Sequence, residues 1–270
     1  MNSDRFEFGA NWRAFLSTVD EQRIVQAERS LRDMLRLDTL AGLRFLDVGC
    51  GSGLFSLAAC RLGASVHSFD YDPHSVACAE ELRARFAAGR SWSTCSGSVL
   101  DDDFMRGLGT WDIVYSWGVL HHTGDLARAL QLAAAAVGPS GRLFIAVYND
   151  QGGTSRRWLR IKQLYHRLPG ALRPALVATV AGGMEAKYAL VRLLQGRNPL
   201  PFADWRRKKQ DRGMSVWYDW VDWVGGLPFE VARPEQIILP LRDAGLVLDN
   251  LTTCGSGHGC NQYVFRRVAR

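Results

Sequence analysis

Residues 44–56 constrain this chain more than any other stretch. Arg44-Phe45-Leu46-Asp47-Val48 reads as an apolar strand, Gly49-Cys50-Gly51-Ser52-Gly53 as a turn, and a helical pattern begins at Leu54. A strand that turns on glycines into a helix lets its backbone approach a ligand with no Cβ in the way, and the amides opening the helix suit an anionic group. The ligand then sits at the carboxyl end of the first strand.

A dinucleotide fingerprint would be G-x-G-x-x-G, whereas the spacing here is G-x-G-x-G with an acid, Asp47, two residues before the first glycine. That pattern favours S-adenosylmethionine over a nicotinamide dinucleotide. The acid accepts from the ligand's ammonium, directly or through water, while loop amides hold the rest of its amino-acid tail. Asp47-Val48-Gly49-Cys50-Gly51-Ser52-Gly53 also matches the first motif of the class I S-adenosylmethionine-dependent methyltransferases without a departure. Residues 40–150 resemble that family, and within it the small-molecule type typified by ubiquinone-biosynthesis enzymes. The resemblance implies an α/β fold, with a Rossmann-like, seven-stranded, mostly parallel sheet and a closing antiparallel hairpin. It places Asp47, Gly49, Cys50, Gly51 and Gly53 around the cofactor.

Later segments extend the pattern. Residues 64–70 form a second short strand ending in Asp70, about 20 residues beyond the glycine loop, where a carboxylate accepts from both ribose hydroxyls. Tyr71 lies against the adenine or packs on the protein, and Asp72 before Pro73 reads as a helix cap. By resemblance, the loop after residues 92–95 carries the adenine contacts: the backbone of Val99 or Leu100 to the ring and Asp101 to the exocyclic amine. Asp102 and Asp103 read as a helix amino terminus, and no further ligands stand nearby to make a metal site.

Residues 111–117 form a buried strand that breaks at Gly118, and Ser116 and Trp117 at its end join the cofactor set. In the family this end faces the transferred methyl, and many small-molecule members carry a comparable Val119-Leu120-His121-His122. Either histidine is a candidate general base, a neutral imidazole being able to take the proton of an attacking hydroxyl or amine. The alternative is a histidine that caps the helix and packs under the cofactor. Residues 142–150 form the fifth strand, whose end offers Tyr148 as a third catalytic candidate and Asn149 to orient an acceptor.

Around this core the pattern predicts three regions: a helical cap segment at 1–40, a cofactor-binding core at 41–150 and 233–270, and an insert at 151–232. Ile24, Ala27, Leu31, Met34 and Leu35 recur at helix spacing. The aromatic stretch before them contains Trp12; in related enzymes the amino-terminal segment folds over cofactor and acceptor, which makes Trp12 an acceptor contact, with core packing as the alternative. The insert is too long for a loop and contains helical patterns. It holds 14 Lys or Arg against 6 Asp or Glu, so the chain's net charge of +6 originates there. The basic residues concentrate at Arg156, Arg157, Arg160 and Lys162, and again at Arg206, Arg207, Lys208 and Lys209.

Three readings of that charge stand side by side: a solvated face, a site for an anionic acceptor, and a weak contact with a membrane surface or nucleic acid. A membrane span is not expected, because the apolar run near Ala175 falls short of the roughly 20 residues needed and meets Gly182-Gly183. Trp217, Trp220 and Trp223 recur every three residues and form a packing face or an aromatic wall, which enters Trp217 and Trp220 as acceptor contacts. A helix at 234–244 and two closing strands follow, joined by a glycine-rich loop; His258 and Asn261 reach the site or decorate a surface loop.

Six cysteines without a C-x-x-C pair fit reduced thiols in a cytoplasm rather than structural zinc, and the first residues lack a signal-peptide pattern. The expected function is methyl transfer from S-adenosylmethionine to a small-molecule acceptor, with an oxygen nucleophile favoured and an anionic acceptor compatible with the insert. The alternatives are methylation of RNA or protein, or a non-catalytic cofactor-binding partner subunit. No recognisable RNA module and no Asn/Asp-Pro-Pro-Tyr signature after strand four are present, so no nucleic-acid partner is expected. The pattern leaves a homodimer open.

Overall fold

The computed structural model describes residues 16, 19–202, 205, 216–255 and 259–268. They divide into two compact units: the described residues up to Gln151 with Pro228–Arg270, and Gly152–Leu227. Residues 228–232, read from the pattern as the end of the insert, belong to the first unit.

That unit is built on seven strands: β1 (Arg44–Val48), β2 (Ser65–Asp70), β3 (Trp92–Ser96), β4 (Trp111–Trp117), β5 (Val137–Tyr148), β6 (Leu246–Thr252) and β7 (Cys260–Arg267). Their order is β3-β2-β1-β4-β5-β7-β6. The first five pair in parallel, and β7 runs antiparallel to β5 and β6. This is the Rossmann-like sheet with its closing hairpin. Strand order reverses between β1 and β4, and the crevice outside the strand ends at such a reversal is where open α/β sheets bind ligands.

The helices in chain order are α1 (Glu21–Leu35), α2 (Leu54–Arg61), α3 (Pro73–Phe86), α4 (Asp102–Gly107), α5 (Leu126–Ala135), α6 (Gly153–Arg167), α7 (Arg173–Leu194), α8 (Val216–Gly225) and α9 (Pro234–Asp243). Strand residues alternate between the two faces of the sheet. Phe45, Val66, Trp92, Tyr115 and Phe144 pack with Ile24 and Leu31 of α1, Leu57 of α2 and Leu82 of α3. Leu46, Val48, Phe69, Val114 and Ile145 pack with Met105 of α4, Leu130 of α5 and Ile237 and Leu241 of α9. Each such side chain contributes roughly 1.5–3 kcal/mol through burial, so a Phe144→Ala truncation would cost about 3–5 kcal/mol.

In the second unit Trp158 of α6 meets Trp223 of α8, ring centroids 5.6 Å apart. Lys162 Nζ donates to Trp223 O and His166 Nε2 to Gly225 O, both at 2.6 Å. These contacts satisfy carbonyls at the end of α8, where a helix leaves acceptors without intrahelical donors. Lys162 is buried, and burial pushes its ammonium down to about 7. It therefore leaves the solvated basic cluster in which the sequence pattern grouped it. Helix α7 continues through Gly182-Gly183, and no described helix is long and apolar enough to cross a membrane.

Candidate functional site

The glycine loop leaves β1 with Gly49, Gly51 and Gly53 all at positive φ. At Gly49 (φ 78°) glycine is required twice, because a Cβ there would lie 2.3 Å from Val119 Cγ1. The loop is tied down by its own fold. Gly49 and Cys50 amides donate to Phe69 O, Gly51 N donates to Asp70 Oδ2 at 2.9 Å, and Gly53 N donates to Cys50 O. This corrects the expectation that the loop amides await a ligand; four of them already serve the turn.

What the loop presents instead is carboxylate. Asp70, at the end of β2, accepts from Gly51 N through one oxygen and from Asp72 N through the other, each at 2.9 Å. Its orientation is thereby set by two backbone amides. Asp47 is 2% exposed and accepts from Ser56 Oγ at 2.5 Å. Burial pushes its carboxyl up to about 7, with the Ser56 hydrogen bond opposing and the Asp70 charge adding to the rise. A buried acid so poised gains most from a cation, and an adjacent fixed carboxylate suits a diol. S-adenosylmethionine carries an ammonium, a sulfonium and a ribose diol, so the donor and charge chemistry of these residues fits it. Burial also pushes the Cys50 thiol well up, which keeps it neutral.

The opposite half of the crevice lies at the ends of β4 and β5. After Gly118 the chain makes a single helical turn, Leu120–His122, that presents both histidines. His121 is fully buried, with its ring centroid 4.4 Å from His122 and 4.1 Å from Tyr148. Tyr148 also meets His122 and Phe229, each at 5.6 Å. His122 Nδ1 lies 2.6 Å from Pro228 O. A carbonyl only accepts, so Nδ1 carries the proton and the lone pair of the neutral ring stands on Nε2.

Residues 228–232 hold this half together. Glu230 N donates to His121 O, Ala232 N to Tyr148 O, and Asp150 N to Ala232 O. The Glu230 carboxylate accepts from Leu126 N at the start of α5, and burial raises its pKa. Pro228, Phe229 and Glu230 were missed in the sequence because they follow Gly225-Gly226 with no motif and no periodicity of their own.

Several other expected site residues already make contacts within the protein. Ser116 is fully buried and donates its hydroxyl to Val48 O, so it ties β4 to β1 rather than offering that hydroxyl at the strand end. Trp117 is exposed, with Nε1 donating to Gln262 Oε1. Asn261 is buried: it accepts from Cys254 N and donates to Asn149 Oδ1 and Tyr263 Oη. It supports Asn149 at the end of β5 instead of facing an acceptor. Tyr71 is half exposed and Val99 buried. The Leu100 amide donates to Ser98 Oγ within a local turn. Asp72 and Asp101 both cap helices, Asp101 through Oδ1 to Asp103 N and Phe104 N. Trp220 is buried and Trp217 exposed in the second unit, so the two do not share one environment. Trp12, His258 and the 206–209 basic cluster lie outside the described residues.

None of the six cysteines forms a disulfide, and no cluster of metal-ligating residues occurs among the described residues.

Over residues 1–176 the chain matches the family described as "Methyltransferase domain". It is 32% identical over 118 residues to the ubiquinone biosynthesis O-methyltransferase of Rhizobium etli, covering 44% of this chain and 46% of that one. The Methylocella silvestris protein of the same name is 33% identical over 118 residues, 44% of each. The chain thus spans about half the length of the curated relatives it matches. Among solved structures, magnesium protoporphyrin IX methyltransferase from Synechocystis PCC 6803 with bound SAH superposes with a TM-score of 0.53 at 16% identity, over 91% of this chain and 82% of that one. An O-methyltransferase family protein from Burkholderia thailandensis gives 0.55 at 16% identity, over 91% and 57%. At these identities the likeness concerns the fold.

Proposed function

We propose that this chain, which belongs to the methyltransferase-domain family and takes S-adenosylmethionine as its methyl donor, methylates an oxygen nucleophile on a small-molecule acceptor, with His122 as general base. The observation that carries this reading is the 2.6 Å contact from His122 Nδ1 to Pro228 O. It selects the tautomer whose Nε2 takes a proton.

When bound, the cofactor supplies an activated methyl on a good leaving group. The protein's own work is then alignment, exclusion of water and proton removal. Asp47 accepts the ammonium, Asp70 the ribose hydroxyls, and Tyr71, Val99, Leu100 and Asp101 border the adenine. Tyr148 and Phe229 form an apolar wall beside the histidines, and Asn149, held by Asn261, orients the acceptor. His121, buried between His122 and Tyr148, positions both rings. The curated relatives are named O-methyltransferases, which supports a hydroxyl acceptor. The excess of basic residues in the insert supports an acceptor that carries an anionic group. Six cysteines without a disulfide fit a cytoplasmic setting.

His122→Ala should lower kcat by about 100-fold with cofactor affinity nearly unchanged, since proton transfer is felt mainly in the transition state. The wild-type rate should fall on the acidic side as Nε2 takes a proton, and this limb should vanish in the variant. Near-normal turnover with the limb intact would move the role to His121 or Tyr148.

A further inference from the structure

Beneath the glycine loop four buried side chains, three from strands β1, β2 and β3 and one from helix α2, form a hydrogen-bonded chain. Trp92 Nε1 donates to Ser68 Oγ at 2.5 Å, Ser68 and Ser56 hydroxyls are 3.0 Å apart, and Ser56 Oγ is 2.5 Å from Asp47 Oδ2. The register explains why they meet: Asp47 pairs with Ser68, and Val66, two residues earlier on the same face, pairs with Trp92. Trp92, Ser68, Ser56 and Asp47 are between 0% and 4% exposed.

The chain has a direction. An indole N–H only donates, and each hydroxyl carries one proton. Entered from Trp92, Ser68 passes its proton toward Ser56 and Ser56 passes its own toward Asp47, so the last oxygen must accept. Asp47 Oδ2 is thus the acceptor that ends the chain. A hydrogen bond donated to a carboxyl oxygen is stronger when the group is ionised, so the chain favours the carboxylate over the neutral acid.

We propose that Trp92, acting through Ser68 and Ser56, is a positioning residue that holds Asp47 ionised and thereby sets the strength and pH range of cofactor binding. The proposal rests on the reading that Asp47 accepts the cofactor's ammonium. The titratable groups facing Asp47 are Asp70, Cys50 and Tyr115. Asp70 opposes ionisation of Asp47 by its charge, and the thiol and phenol, both pushed well up by burial, bring no positive charge. The donor chain is therefore the influence that favours the carboxylate, at a carboxyl that burial has already raised to about 7.

The test uses the cofactor product S-adenosylhomocysteine, which carries the ammonium, and 5′-methylthioadenosine, which lacks the amino-acid tail. Calorimetric titrations from pH 6 to 9 compare the wild type with Trp92→Phe, Ser68→Ala and Asp47→Asn. Loss of the donor should raise the Asp47 midpoint by about one unit, so Trp92→Phe should weaken S-adenosylhomocysteine about 5- to 10-fold near pH 7 and approach the wild type by pH 9. Methylthioadenosine should be unaffected at every pH. A carboxyl carbon NMR titration of the free protein reads the same midpoint directly. Ser68→Ala breaks the same chain with a smaller change of volume and covers a Trp92 variant that does not fold. An unmoved midpoint overturns the proposal, as does a pH-independent loss shared by both ligands. A moved midpoint with unchanged S-adenosylhomocysteine affinity overturns the ammonium reading instead, as does an Asp47→Asn variant that binds the two ligands in the wild-type ratio.

Discussion

The two halves of the crevice are built differently. The glycine-loop half is local: β1, the loop and the end of β2 lie within residues 44–72, and its carboxylates are held by amides and hydroxyls of that stretch. The histidine half draws on three separated segments, at residues 118–122, 148–150 and 228–232, joined by backbone hydrogen bonds and ring contacts. The fixed polar groups of the first half belong to one contiguous motif, whereas the second half is completed by a segment arriving after the insert. Under the proposed function, the first half meets the cofactor and the second the acceptor.

The sharpest way to break this comparison is at Gly49, where the two halves touch. Gly49→Ala should reduce cofactor affinity by about 100-fold or more, from positive-φ strain together with the clash on Val119. Adding Val119→Ala should recover the steric part alone. Calorimetry on both variants separates the two contributions; wild-type binding in the single variant would show that the halves are not mechanically joined there.

Asp70→Ala should weaken cofactor binding by about 1.5–3 kcal/mol, the cost of losing hydrogen bonds to a charged acceptor. Part of that loss is the release of Gly51 N and Asp72 N, so Asp70→Asn, which keeps one acceptor oxygen, should fall between the two. Equal affinity in all three forms would remove Asp70 from the ribose role.

The smallest effect is expected across the crevice. Phe229→Ala removes the ring that stands against Tyr148 and should raise the acceptor's Michaelis constant a few-fold, roughly 1 kcal/mol, while cofactor affinity stays within error. A change confined to cofactor binding would show that residues 228–232 serve the other half.

Burial of Asp47 has a consequence for stability as well. Its folded-state carboxyl is raised to about 7 from an ordinary value near 4, so the stability it contributes is present below pH 4 and lost as pH rises through 7. The free protein keeps a buried acid at a cost in stability that a bound cation would offset.

Much of this architecture was legible along the chain. Asp47-Val48-Gly49-Cys50-Gly51-Ser52-Gly53 announces itself because turn, charge and spacing are all local, and Asp70 follows from a spacing rule. The period of Ile24, Ala27, Leu31 and Leu35 marked a helix whose face is buried. Errors arose where local pattern and partner diverge. Ser116 looks like a polar strand end but is consumed by Val48 O, and Asn261 looks like a loop residue but is buried against Asn149 and Tyr263. Lys162 looks like one more basic residue on a helix and is withdrawn onto Trp223 O.

The sequence by itself therefore determined the order of strands and helices, the position of the glycine loop and the identity of its carboxylates, because these depend on residues within a few positions of one another. Only the tertiary structure decided which nitrogen of His122 is basic, which side chains face the histidines and which hydroxyls reach Asp47. Those depend on a carbonyl from residue 228 and an indole from residue 92, brought into contact by chain pairing across the sheet, at separations over which no periodicity carries information.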